Sequence, residues 1–169
     1  ITGAKLKVAN WPGVTVEKIE GEAEYEEVHM TLVDTPGIYS LTSYTIEEKV
    51  TRGCVMDDDI EVIVNVVDAS CLERNLYLTL QLLELGKPVV LALNMMDVVE
   101  KEGSQIHTGR LSAQLGCEVV EISALKGTNI QKAAEMAAAL ARKDEVTVPV
   151  HKFAPEVEDA IGEVEAMLG

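Results

Sequence analysis

The stretch VVLALNMMD, Val89 to Asp97, decides how the rest of the chain is read. Five apolar residues in a row, set off by Pro88, have the length of a strand and no polar alternation, which is the pattern of a strand buried on both faces. Two polar side chains, Asn94 and Asp97, follow at the point where the chain leaves the sheet. Working outward, three more apolar runs have strand length: Val28 to Val33, Val62 to Val67 and Val119 to Ile122. Helix-period stretches fill the gaps at about Ile46–Met56, Glu73–Leu85, Ile106–Leu115 and Ile130–Leu140, the last with Asn129 placed as its N-cap. Strands interleaved with helices predict an α/β fold, a mostly parallel sheet with helices on both faces. Val14 to Tyr25 alternates apolar and charged residues, and with Val28 to Val33 it predicts an antiparallel hairpin at one edge. An acidic amphipathic stretch at Pro155–Leu168 predicts a further helix beyond a change of pattern near Val146–Pro149.

In an open parallel sheet, ligands bind outside the carboxyl ends of the strands. The run ending at Val33 leads into Asp34-Thr35-Pro36-Gly37. Its carboxylate suits the water shell of a magnesium ion, and its glycine amide suits a terminal phosphate. After the Val89 strand, Asp97 is the candidate reader of guanine, whose N1–H and N2–H₂ lie side by side for one carboxylate. Asn94 ties that loop together, and Met95 stands where a lysine is usual, its aliphatic body covering the base plane. The last strand ends in Ser123-Ala124-Leu125-Lys126, which offers a backbone amide to the guanine O6 and a lysine stem to the ring. Each pattern also occurs as an ordinary turn or loop cap. Three of them in order, each at the end of a separate strand, predict a guanine-nucleotide site. Thr15, nineteen residues before Asp34, is either a β-branched strand opener or a magnesium ligand that also meets the γ-phosphate through its amide.

Composition narrows the partners. At 169 residues and 47% hydrophobic, the chain is sized for one domain with a real core. A net charge of −15 opposes binding to nucleic acid or anionic lipid. It also demands that any phosphate site draw its positive potential from backbone amides, a metal ion or a few lysines. Cys54, Cys71 and Cys117 are scattered and odd in number, which suits reduced thiols rather than a disulfide framework or a zinc site. No apolar run approaches the roughly 20 residues of a membrane span, and the first residues lack a secretory signal, so a cytosolic setting is expected.

NWPGVTVE (Asn10 to Glu17), DTPGIYSL (Asp34 to Leu41), SYTIEEKV (Ser43 to Val50), NVVDASCLERNLYLTLQLLE (Asn65 to Glu84) and ALNMMDV (Ala92 to Val98) together resemble the G domain of the FeoB family over most of the first 140 residues. The resemblance implies a Ras-like P-loop GTPase fold in a prokaryotic Fe²⁺ transporter. Its cytoplasmic domain, on the inner face of the inner membrane, binds and hydrolyses GTP. A small helical domain and then the membrane-embedded part of the same polypeptide follow, and a small cytoplasmic protein is a candidate partner. On this likeness Gly13, Val14 and Thr15 belong to switch I, with Thr15 on Mg²⁺. Asp34, Thr35, Pro36 and Gly37 form switch II, Asp34 serving Mg²⁺ and Gly37 acting with Thr15 at the γ-phosphate. Asn94, Met95, Asp97, Ser123, Ala124 and Leu125 surround the base of GTP or GDP. Backbone carbonyls of Asn10 and Trp11 are candidates for a K⁺ ion beside the phosphates. The implied domains are a G domain over residues 1–148 and the start of the helical domain over residues 149–169.

Two departures qualify that picture. Ile38 follows the DxxG glycine where Ras-like proteins place a water-orienting glutamine. No GxxxxGK[ST] occurs in the sequence. Ile1-Thr2-Gly3 resembles the end of a first helix, so the phosphate loop is expected to finish about five residues before Ile1, with a first strand ahead of it. The segment by itself is then expected to be inactive. Two other readings remain: a nucleotide-free interaction module of the same fold, and a soluble G protein of ribosome assembly or tRNA modification, against which the acidic charge and NWPG weigh.

Overall fold

The computed structural model describes residues 6–25, 28–143 and 153–168. Its strands are β1 (Leu6–Asn10), β2 (Glu17–Tyr25), β3 (Val28–Asp34), β4 (Ile63–Asp68), β5 (Val89–Asn94) and β6 (Glu118–Glu121). The helices are α1 (Ile46–Val55), α2 (Leu72–Leu83), α3 (Met96–Lys101), α4 (Thr108–Leu115), α5 (Ile130–Ala141) and α6 (Pro155–Leu168). The four apolar runs thus become β3, β4, β5 and β6, with ends displaced by no more than one residue.

β5 is the centre of a parallel sheet in the order β4-β5-β6, with Asp68 opposite Asn94 and Leu93 opposite Glu121. Alternate side chains of a strand point to opposite faces, and here both faces are covered. Val89, Leu91 and Leu93 pack with Leu82 and Leu83 of α2 and Val99 of α3. Val90 and Ala92 pack on the other side with Ala133 and Ala137 of α5. Val90 through Leu93 have no exposure at all, and burying each Val or Leu side chain is worth about 1.5–3 kcal/mol.

The antiparallel sheet is ordered β1-β2-β3. The β2–β3 hairpin runs in register from Ile19 opposite Asp34 to Tyr25 opposite Val28, as the alternation of charge and apolarity implies. β1 was not foreseen. LKVAN is short and every residue of it is exposed, so ladder pairing to β2 rather than burial defines this strand. Among the described residues no ladder joins β3 to β4, so the single sheet expected from sequence is two sheets here. A cavity of about 210 Å³ lies between the Asp34–Ile38 segment and β4, with α1 and α2 contributing Thr51 and Asn75 to its lining. Val66, in the middle of β4, is 57% exposed.

Helix starts follow local chemistry. Thr45 and Glu48 form a capping box on α1: the Thr45 hydroxyl accepts from Glu48 N–H at 3.1 Å, and the Glu48 carboxylate accepts from Thr45 N–H at 3.3 Å. At α5 the expected cap fails. Asn129 sits at φ 56° and makes no side-chain cap; its Nδ2 donates instead to Glu121 O at 2.9 Å, tying α5 to the end of β6. α3 was also not foreseen, because its six residues are too short for a helical period to show. α6 forms over the residues expected of it. The pattern change at Val146–Pro149, the domain boundary between 148 and 149, and the helix end expected at Ile1-Thr2-Gly3 lie outside the described residues. Among the described residues no helix is long and apolar enough to cross a membrane.

Candidate functional site

The carboxyl ends of β5 and β6 bring one group of predicted residues together. Asn94, the last residue of β5, accepts the Ala124 N–H on Oδ1 at 3.1 Å and so joins the two loops across the sheet edge. The Ser123–Thr128 loop is closed by a reciprocal backbone pair, Ser123 N to Thr128 O at 3.0 Å and Thr128 N to Ser123 O at 3.1 Å. Ser123 Oγ accepts from Lys126 N–H at 3.2 Å, and Leu125 at the loop tip is almost fully exposed. Ala124's amide, one candidate donor to a guanine oxygen, is therefore already engaged by Asn94. Met95 takes the left-handed conformation, φ 64° and ψ 30°, and leaves its side chain partly in solvent. That sharp bend places Asp97 in the first turn of α3 with its carboxylate half-exposed, 3.8 Å from Lys101 Nζ.

A second group lies at one end of the antiparallel sheet. β1 ends at Asn10 opposite Glu17, and β3 ends at Asp34 opposite Ile19, so the turn carrying Gly13, Val14 and Thr15 adjoins the Asp34–Gly37 segment. The turn is closed by Trp11 N–H to Val16 O at 2.9 Å and Val14 N–H to Trp11 O at 3.2 Å. Gly13 occupies φ +79°, a conformation glycine adopts without steric cost. Thr15, Asp34 and Gly37 are exposed or nearly so, and open space surrounds the position where a Cβ of Gly37 would be. Lys18 stands over the Trp11 ring at 4.9 Å and pairs with Glu20 at 2.6 Å. The Glu20 hydrogen bond raises the Lys18 pKa and lowers that of Glu20. Among the described residues, the one buried side-chain polar atom without a hydrogen-bond partner is Trp11 Nε1.

Sequence reasoning missed the residues that hold these segments. Thr51, 5% exposed on α1, donates from its hydroxyl to Pro36 O at 3.1 Å. Gln81 on α2 accepts the Leu41 N–H at 2.9 Å, and Arg74 lies over the Tyr39 ring at 3.9 Å. Asn65, Thr79 and Asn75 form a chain from β4 into α2. Asn65 Nδ2 donates to Thr79 Oγ1 at 2.9 Å, Thr79 donates to Asn75 O at 3.2 Å, and Asn75 Nδ2 donates to Cys71 O at 2.9 Å. Helical spacing marks Gln81 and Arg74 only as members of an amphipathic helix, so no local pattern singles them out. The three cysteines are free as expected: Cys54 and Cys117 are buried, and Cys71 is exposed. Burial pushes the Cys117 thiol up to about 11. No cluster of three or more His, Cys, Asp or Glu side chains able to hold a metal occurs among the described residues.

Comparison with known proteins agrees along the chain. A family model described as ferrous iron transport protein B matches residues 1–137. The Fe(2+) transporter FeoB of Shigella flexneri is 43% identical over 164 residues, covering 95% of this chain and 21% of its own length. That of Salmonella typhimurium is 47% identical over 135 residues, covering 78% of this chain and 18% of its own. The chain therefore spans about a fifth of the length of these relatives. A GDP-bound mutant of S. thermophilus NFeoB superposes with TM-score 0.89 at 43% identity, over 100% of this chain and 65% of that one. The cytosolic domain of the T. maritima FeoB iron transporter in its GMPPNP form gives TM-score 0.91 at 37% identity, over 99% of this chain and 66% of that one.

Proposed function

The chain belongs to the ferrous iron transport protein B family, and from that premise we propose that it is the guanine-nucleotide-binding part of a GTPase domain that regulates Fe²⁺ uptake. The observation that carries this reading is the Asn94–Ala124 bond, which unites the NxxD and SALK loops at the carboxyl edge of a parallel sheet with Asp97 beside them. That is the arrangement a base reader needs. Solved relatives described as GDP-bound and GMPPNP forms add support.

In this reading Asp97 accepts from guanine N1–H and N2–H₂, Met95 covers the ring, and Ser123, Ala124 and Leu125 bound the base. At the phosphate end Asp34 and the Thr15 hydroxyl would hold Mg²⁺, and the Gly37 amide would meet the γ-phosphate, beside Thr35 and Pro36. Two side chains, both solvent-accessible at one sheet end, fit magnesium, which keeps several waters and takes most other ligands from phosphate. When bound, magnesium neutralises charge developing on the phosphate oxygens. Water attacks the γ-phosphorus, the bond to the β–γ bridging oxygen breaks, and GDP and phosphate leave. Ile38 cannot orient that water, so the backbone of switch I and switch II does the positioning. A potassium ion on the carbonyls of Asn10 and Trp11 would add positive charge there; Trp11 O accepts from Val14 N–H and keeps one lone pair for it.

Among the described residues no ladder joins β3 to β4, and Val66 is exposed on β4; that suits one further strand beside β4, the strand that leads into the phosphate loop in a domain of this kind. Residues 1–148 then belong to the G domain, and 149–169, including α6 with its exposed Val157, Ile161 and Val164, begin a helical domain leading to the membrane-embedded part. The domain faces the cytoplasm at the inner membrane, and a small cytoplasmic protein is a candidate partner. The test is nucleotide titration of the natural cytosolic domain. Micromolar GTP and GDP binding with no ATP binding is expected. Failure to bind any guanine nucleotide would favour a nucleotide-free interaction module.

A further inference from the structure

We propose that Arg74 and Gln81 of α2 are positioning residues for GTP hydrolysis, a clamp that fixes the backbone of Gly37 by gripping the residues after it. The inference rests on the reading of Asp34–Gly37 as the segment facing the γ-phosphate. Leu41 is buried and its N–H donates to Gln81 Oε1 at 2.9 Å, a bond between residues forty apart in sequence. Two residues earlier, the Arg74 guanidinium lies on the Tyr39 ring, 3.9 Å from its centroid. Arg74 and Gln81 are seven residues apart, two helical turns, and so act from one face of α2. α1 grips the same segment from its other flank: Thr51 Oγ1 donates to Pro36 O at 3.1 Å, and Arg52 Nη1 to Leu41 O at 3.5 Å.

Between these grips lie only Gly37 and Ile38. Ile38 packs against the hydrophobic core and directs nothing at a ligand. Placement of the Gly37 amide therefore depends on backbone order, and ordering one free residue costs about 1–2 kcal/mol. A clamp that supplies this order before the reaction is preorganisation, and its benefit falls on the transition state. The helix that supplies it is itself anchored. Thr79, two residues before Gln81, is completely buried and bonded to Asn65 of β4, so the clamp stands on the same sheet that carries the base readers.

The experiment measures GTP turnover, GDP affinity and melting temperature of the full natural protein with Gln81→Leu, Gln81→Glu and Arg74→Ala. Gln81→Leu removes the acceptor and is expected to lower kcat about two- to twelvefold, the range of one net hydrogen bond, with the Kd for GDP unchanged. Gln81→Glu keeps an oxygen at the same reach and restores kcat. Arg74→Ala lowers kcat in the same direction, and amide exchange at Leu41 accelerates in Gln81→Leu alone. Unchanged kcat in both Gln81→Leu and Arg74→Ala, no recovery in Gln81→Glu, or a loss of GDP affinity and melting temperature in step with kcat would each overturn the clamp while the GTPase reading stood. A wild-type protein without GTP turnover would overturn that reading first, and this inference with it.

Discussion

The parallel and antiparallel sheets of this molecule meet solvent in opposite ways. β5 has four consecutive residues with no exposure, and the loops at its carboxyl end are joined by Asn94 to Ala124. β1 is exposed along its whole length, and among the described residues no ladder joins β3 to β4. The first sheet carries the proposed base-reading loops on one edge. The second holds Thr15 and Asp34 at one end. The two groups of predicted residues, one around Asn94 and Asp97 and one around Thr15 and Asp34, thus stand on separate sheets.

The most severe way to break that division is to ask the chain to bind GTP unaided. Hydrogen bonds to charged groups contribute about 1.5–3 kcal/mol each, so lacking four phosphate-loop contacts forfeits roughly 6–12 kcal/mol, or four or more powers of ten in affinity. Calorimetry on the 169 residues and on the same chain extended upstream in its natural sequence is expected to show binding only in the second, together with a higher melting temperature. Micromolar GTP binding by the short chain would mean that the phosphates are held by residues other than Thr15, Asp34 and Gly37.

The base-reading edge is tested next by Asp97→Asn. A bidentate base contact is worth about 1–3 kcal/mol, so GTP affinity of the extended chain is expected to fall roughly five- to 150-fold. Xanthosine triphosphate, whose C2 carbonyl accepts from the new amide, becomes the preferred ligand. Equal GTP affinity in the two proteins would remove Asp97 from the site. A further substitution asks whether the parallel sheet holds itself together: Thr79→Val takes the acceptor from buried Asn65. Leaving a buried donor unsatisfied costs about 1–3 kcal/mol, read as a lower urea midpoint. A midpoint equal to wild type would show that this chain of bonds does not stabilise the sheet.

The smallest effect is a pH dependence confined to the parallel-sheet side. The Cys117 thiol is raised from 9.0 to about 11 by burial, so the folded state holds its proton more tightly than the unfolded state. Its stabilising contribution is full below about pH 9 and is lost as pH rises towards 11. At pH 10 the loss is about 1 kcal/mol, and Cys117→Ala is expected to lose less stability between pH 8 and pH 10 than the wild type. The same slope in both proteins would assign the effect to another group.

Legibility in the sequence followed the same division. The parallel sheet was readable because its strands are continuous apolar runs; Val89–Leu93 and Val119–Ile122 differ from β5 and β6 by a residue or less at each end. Asn94, Asp97, Ser123 and Ala124 lie at the carboxyl ends of β5 and β6, where the strand pattern places them. The antiparallel sheet was half readable: the β2–β3 alternation shows, but β1 buries nothing and so leaves no hydrophobic pattern. Asn129 misled because asparagine serves both as an N-cap and as a residue tolerant of positive φ, and only the three-dimensional reach to Glu121 O decides between them. Gln81 and Thr51 were invisible because their partners, Leu41 and Pro36, lie forty and fifteen residues away.

Trp11 is the sole tryptophan among 169 residues. It sits in the Asn10–Val16 turn beside Thr15, its ring under the Lys18 ammonium and its indole N–H buried without an acceptor. The turn therefore carries its own optical gauge. Indole emission responds to nearby charge and to hydrogen bonding at nitrogen, and there is no second fluorophore of its kind to dilute the signal. A stopped-flow trace of unlabelled protein reads this one turn, so any rearrangement around Thr15 on addition of nucleotide is timed without attaching anything to the molecule.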